Sequence, residues 1–169
     1  METSTAARPF SAAAWVVGAL LGVAALNFFA YPLDRWLYVF AIVALFGGWL
    51  IALGVAGGAV WLLGRDHGYR SAVVLALAAV LGFTLVATAD LQYGYPQAYY
   101  WLHRSDFAAA AAADDDGRTV IVWFTHGSES GNGYAHAPLA SAGTVVLTSP
   151  VQLVARHRLG DGWWWVTSY

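Results

Sequence analysis

Charge is missing from three long stretches of this chain. Positions 9–33, 36–64 and 71–89 hold no Asp, Glu, Lys or Arg, and they run to 25, 29 and 19 residues. A helix rises ~1.5 Å per residue and needs about 20 apolar residues to cross ~30 Å of hydrocarbon. The first two stretches exceed that length, and the third, one residue short, still lies within the range of about 17–25 that spans take. Charged residues make up 11% of the 169 residues and hydrophobic ones 59%, whereas an ordinary soluble domain carries about 25% charge. That deficit excludes intrinsic disorder, a basic nucleic-acid binder and a freely soluble enzyme. It leaves a membrane protein, with the lipid bilayer as first partner and no nucleic acid.

The expected organisation follows from where the charges return. Residues 1–10 form a cytoplasmic N-terminal tail. Residues 11–90 form an all-α membrane part of three transmembrane helices, at about 11–31, 37–63 and 71–89. Residues 91–169 form a small α+β module with a mainly antiparallel sheet. Arg8 followed by Ala12–Leu26 has the outline of a signal peptide. The apolar run continues through Asn27-Phe28-Phe29, past the place for a small-residue cleavage site, so the segment reads as a retained span. Trp15, Phe28, Phe29, Tyr31, Trp36, Tyr38 and Trp61 stand near the ends of the runs, as an interfacial aromatic belt does.

Arginine sets the sidedness, since the chain has no lysine. With the N-terminus inside, Arg8, Arg65 and Arg70 face the cytoplasm, and Arg35 and Arg104 face out. The expected product is a multi-pass protein of the cell membrane with an extracytoplasmic C-terminal module. The chain has no cysteine, which removes disulfides, thiol catalysis and thiolate metal sites.

Two GxxxG patterns, Gly18/Gly22 and Gly54/Gly58, allow close helix approach in lipid. The reading adopted is that these faces pack the three spans on one another. A homo-oligomer or a membrane-protein partner's helix is the alternative. The spans hold no carboxylate, histidine or arginine of the sort a proton or ion path uses.

In the module, Pro96 fits the first turn of a helix. Ser105 or Asp106 is expected to cap a second helix over Phe107–Ala113. Period-two patterning then predicts strands at Thr119–His126, Tyr134–Leu139, Gly143–Ser149, Val151–Leu159 and Trp163–Tyr169. The glycine-rich stretch 127–133 reads as a flexible connection, and Gly160-Asp161-Gly162 as a tight hairpin turn.

His126, Glu129 and His136 are the candidate metal ligands, a zinc set chemically if they converge. The spacing matches no helical zinc motif, and strand-end histidines bonded to backbone or water explain them as well. Trp163, Trp164 and Trp165 alternate faces. Two rings are expected in the core and one on an interaction surface for a partner, a glycan or lipid. The leading expectation is a non-enzymatic interaction or accessory module displayed at the outer membrane face, with no cofactor. The alternatives are a membrane-bound metal enzyme or metal-binding protein using the histidines, and a subunit of a transporter complex.

Overall fold

The structure, a computed structural model, describes residues 9–37, 39–113, 120–126, 130–147 and 152–168. The chain divides into two compact units at Gln92/Tyr93. The first is helical: α1 (Pro9–Phe28), α2 (Ala30–Leu37), α3 (Val39–His67) and α4 (Tyr69–Thr88). Three of its helices, over Ser11–Phe28, Phe40–His67 and Tyr69–Thr88, are long and apolar enough to cross a membrane. They also bury little against each other. Phe46, Leu50 and Ile51 are each about 70% exposed, a surface that only lipid would solvate cheaply. This is the build of a membrane protein.

The first helix ends at Phe28, short of the expected Tyr31. Pro32 supplies the reason: its ring collides with the carbonyl four residues earlier, which is that of Phe28. The chain restarts as α2, with Pro32 in the first turn, where its missing N–H costs nothing. Asp34 and Arg35, which fall between the first two expected spans, therefore ride on a short helix. At the other end α3 continues four residues past its expected stop, through Arg65 and Asp66, because nothing before Gly68 breaks it. The Arg65 guanidinium lies 5.3 Å over the Trp61 ring, and its Nε bonds Asp66 Oδ1 at 3.1 Å.

Gly68 alone makes the α3–α4 turn, at φ 88°, ψ 160°. Side chains with a Cβ avoid that region, at a cost of about 1–3 kcal/mol. Gly68→Ala is therefore expected to lower the thermal midpoint of the purified protein in detergent. Gly57→Ala, inside α3 with open space around its position, should not. Equal midpoints for Gly68→Ala and wild type would contradict the turn geometry.

The interior of this unit is a seam of small residues. Ala12, Val16 and Val23 of α1 meet Ala52, Ala56, Ala59 and Leu63 of α3, and Ala79 and Phe83 of α4. Trp49 tilts against Phe83 with ring centroids 5.9 Å apart. Three polar side chains bond the backbone of their own helices. Asn27 Nδ2 donates to Val23 O at 2.9 Å, Thr84 Oγ1 to Val80 O at 2.8 Å, and Thr88 Oγ1 to Thr84 O at 2.8 Å.

The second unit is the expected small α+β module. After a 3-10 turn at Leu91–Tyr93 come α5 (Gly94–Leu102) and α6 (Arg104–Ala112), then β1 (Val120–His126), β2 (Ser130–His136), β3 (Val145–Leu147), β4 (Leu153–Gly160) and β5 (Trp163–Ser168). The five strands lie in the order β1-β2-β5-β4-β3, and every neighbouring pair is antiparallel. The β4–β5 hairpin turns at Asp161-Gly162, with φ 49° and 83°. Positive φ at both central positions belongs to the type I′ turn, one of the two whose twist matches right-twisted strands in a two-residue hairpin.

Three local expectations need correction. β2 begins at Ser130, inside the stretch read as flexible, because Gly131 and Gly133 pair through backbone and carry no hydrophobic signal. The second helix starts at Arg104, and its N-cap is His103, with no side-chain cap bond. Ser105 and Asp106 lie within its first turn. Register shifts between Ala155 and His157 and between Arg158 and Gly160 break the simple alternation of β4. Ala155 joins Trp164 in one cluster, while His157 stacks on Tyr93, with centroids 4.6 Å apart. Asp114-Asp115-Asp116-Gly117, which in the sequence reads as a helix stop and a solvated turn, lies outside the described residues.

Candidate functional site

The chemistry-bearing side chains of the module gather where α5 and α6 meet the β4–β5 turn. Tyr100 is 1% exposed, and its hydroxyl donates to Asp161 Oδ2 at 3.0 Å. Arg104 reaches the same oxygen twice, from Nε at 2.9 Å and Nη2 at 2.7 Å. Gln97 Nε2 donates to Leu159 O at 3.0 Å, and Tyr134 Oη donates to Pro96 O at 3.4 Å. His103 Nδ1 donates back to Tyr99 O at 2.9 Å, closing the elbow between the two helices. The Arg104 guanidinium also lies 5.1 Å over the Trp101 ring. The partner of Arg104 is thus 57 positions away in the chain.

These contacts move the proton equilibria in consistent directions. Hydrogen bonds from Arg104 and then Tyr100 hold the Asp161 carboxyl below the usual aspartate range. Burial, then the bond to Asp161, pushes the Tyr100 phenol up. The Asp161 carboxylate raises Arg104. Burial first, then the Tyr99 and Tyr95 phenols, pushes Tyr134 up. Because Asp161 is depressed in the folded state, its contribution is full above the free-aspartate value of about 3.9. It disappears as pH falls through the lower folded value. The midpoint gap between wild type and Asp161→Asn should accordingly be widest near neutrality and close below about pH 4. A gap that widens on acidification would contradict the latch.

The proposed metal ligands are not brought together. His126 opposes Ser130 in the β1–β2 ladder, and Val120 opposes Ala135. His126 thus stands at the loop end of the hairpin and His136 at the far end. Six residues of strand separate their rows, about 20 Å, while a zinc ion holds its ligands at about 2 Å. Glu129 lies outside the described residues. Among the described residues no group of three His, Asp or Glu could hold a metal ion. His136 packs instead at the hairpin, its ring 5.3 Å from Trp163. Its Nδ1 is buried with no hydrogen-bond partner. A Cβ on Gly162 would sit 2.9 Å from His136 Nε2.

The tryptophan run is core on both faces. Trp163, Trp164 and Trp165 are 2%, 7% and 0% exposed, so none offers an interaction surface. Trp163 meets Phe107 and Trp165 meets Tyr134, each at 4.9 Å. Trp164 points to the opposite face, among Ala135, Leu153, Ala155 and Val166. The GxxxG glycines are also not where the spans close. A Cβ on Gly18, Gly22, Gly54 or Gly58 would meet nothing within 4 Å. Gly18 and Gly22 border an apolar groove of about 450 Å³ between α1 and α3, with Trp15, Leu26, Gly48 and Ile51.

Sequence reasoning missed Tyr100 and Asp161 as partners. Asp161 read only as a turn residue and Tyr100 only as part of an aromatic run. No family model matches the chain, and no curated protein or solved structure does.

Proposed function

We propose that this chain is a three-span protein of the cell membrane, with its N-terminus in the cytoplasm. It holds its C-terminal module at the outer face as a non-enzymatic interaction or accessory module. One observation carries the reading: the ionisable groups at the helix–sheet junction are spent on each other. Arg104, Asp161 and Tyr100 latch two helices to a hairpin, and among the side chains whose burial the structure describes no Asp, Glu, His or Arg is fully buried. Catalytic acids and bases are usually tuned by burial against a specific partner in a cleft. The bonding of Asn27, Thr84 and Thr88 to their own helices argues likewise against a transport path of the chain's own. Arg65 and Arg70, flanking the one-residue α3–α4 turn, support the orientation by the positive-inside bias.

Two measurements test this. Alkaline phosphatase fused after Tyr169 should be active and a green fluorescent protein fused there dark; the reverse pattern overturns the orientation. Metal analysis of the purified protein should find no stoichiometric zinc. Zinc that is lost in His126→Ala would overturn the non-enzymatic reading.

A further inference from the structure

The elbow between α5 and α6 leaves a distinctive corner. Tyr100 is buried beneath it, yet the next two residues face away from the module, Trp101 at 55% and Leu102 at 80% exposure. Arg104, one turn on, lays its guanidinium over the Trp101 ring at 5.1 Å. Single exposed apolar residues are ordinary. An adjacent tryptophan and leucine with a cation on the ring form a more specific chemistry. Tryptophan favours the headgroup depth of a bilayer, leucine the acyl boundary just below, and arginine stretches its charge back to phosphate and water.

The covalent chain supplies the second observation. Only Ala89–Gln92 lie between the last residue of α4, Thr88, and the start of the module at Tyr93. The five Cα steps from Thr88 to Tyr93 reach at most ~18 Å even when extended, and part of this tether is coiled in the 3-10 turn Leu91–Tyr93. The headgroup layer on each side of the hydrocarbon is itself about 5–7 Å deep. The chain therefore keeps the start of the module within a few residues' reach of the end of α4, a distance comparable with the depth of a headgroup layer.

We infer that Trp101 and Leu102, with Arg104 over the ring, rest in the headgroup layer of the bilayer that α4 crosses. The contact orients the module against its own membrane through a rigid corner. The latch to Asp161 keeps that corner fixed while α5 carries it. This inference depends on the membrane reading of the helices and is independent of what the module binds.

The chain has no cysteine, so one introduced thiol can carry a single environment-sensitive fluorophore. The full-length protein is placed in vesicles of equal parts phosphatidylcholine and phosphatidylglycerol. It is labelled in turn at Leu102→Cys, at Leu81→Cys on the exposed side of α4, and at Gln152→Cys, which is exposed in the module. Nitroxide-bearing lipids should quench the Leu102 label as they quench Leu81. Aqueous iodide should quench it several-fold less than Gln152. A Leu102 label as open to iodide as Gln152 overturns the inference. So does one shielded from both quenchers, which would mean a protein partner or a second copy covers the corner. Failure of lipid nitroxides to reach Leu81 would overturn the membrane reading beneath it. With the corner intact, a label at Ser105→Cys should also be lipid-quenched, and Trp101→Ser with Leu102→Ser should abolish that quenching. Unchanged quenching in that variant assigns the contact to other residues and overturns the inference.

Discussion

Trp165→Ala is expected to unfold the C-terminal module while leaving the membrane helices folded. Trp165 is fully buried and lies edge-on to Tyr134, with ring centroids 4.9 Å apart. In the ladders it faces Tyr134 of β2 and His157 of β4, so it fills the centre of the sheet beside Tyr134, the ring that meets Tyr99 of α5 and Phe107 of α6. Truncating a buried tryptophan to alanine costs about 3–5 kcal/mol through lost transfer energy and the cavity left behind. A unit the size of Tyr93–Tyr169 holds only about 4–12 kcal/mol in total. The loss therefore removes between about a quarter and all of what is available, and raises the unfolded population of the module more than a hundredfold. Thermolysin digestion of the protein in detergent should then remove the module and leave a membrane fragment ending near Gln92, under conditions in which wild type survives. Trp101→Ala, at a half-exposed ring, should digest like wild type, since exposed substitutions stay within about 0.5 kcal/mol. Equal resistance of Trp165→Ala and wild type would mean the module's core lies elsewhere.

The contrast between those two tryptophans shows what the sequence could and could not disclose. Lipid-facing length is a property of one segment, so the charge-free runs announced three helices. Pro32 and Gly68 then trimmed their ends for local reasons. Strand periodicity and the Gly160-Asp161-Gly162 turn are equally local, and the sheet emerged close to expectation. Alternation along Trp163-Trp164-Trp165 places rings on two faces, but it cannot tell whether the second face is covered. Here Ala135, Ala155 and Val166 surround Trp164, with Ala137, Ala140 and Val146 packed alongside, and all three rings are lost to the interior. Register decided the histidines. His126 and His136 look close when the residues between them are taken as a loop. They part once Ser130 pairs with His126. The Tyr100–Arg104–Asp161 latch had no signal at all, because pairing across about sixty residues leaves no mark in local spacing.

The small-residue motifs carry the second large effect. Two four-residue spacings compete on α3: Gly54/Gly58, and Ala52/Ala56 two positions earlier. Two residues turn a helix by about 200°, so only one pair can face the other spans. The structure buries the alanines and leaves the glycines open. Close approach is made by other glycines. A Cβ on Gly48 would overlap Leu26 Cδ1, and one on Gly82 would sit 2.7 Å from Leu20 Cδ1. Each clash is with the end of a flexible side chain, so alanine can be absorbed and a larger group is the sharper probe. Gly48→Leu and Gly82→Leu are each expected to cost about 1–3 kcal/mol by overpacking α1 against α3 and α4. Gly54→Leu and Gly58→Leu should leave the unfolding midpoint unchanged or higher, because glycine is the weaker helix former. Thermal unfolding in detergent, followed by far-ultraviolet circular dichroism, separates the two pairs. If the second pair were as damaging as the first at every protein concentration, the seam assigned to Ala52 and Ala56 would be wrong. If it were damaging only in a concentration-dependent way, the glycine face would join two copies of the chain, since lipid then competes with helix for that surface.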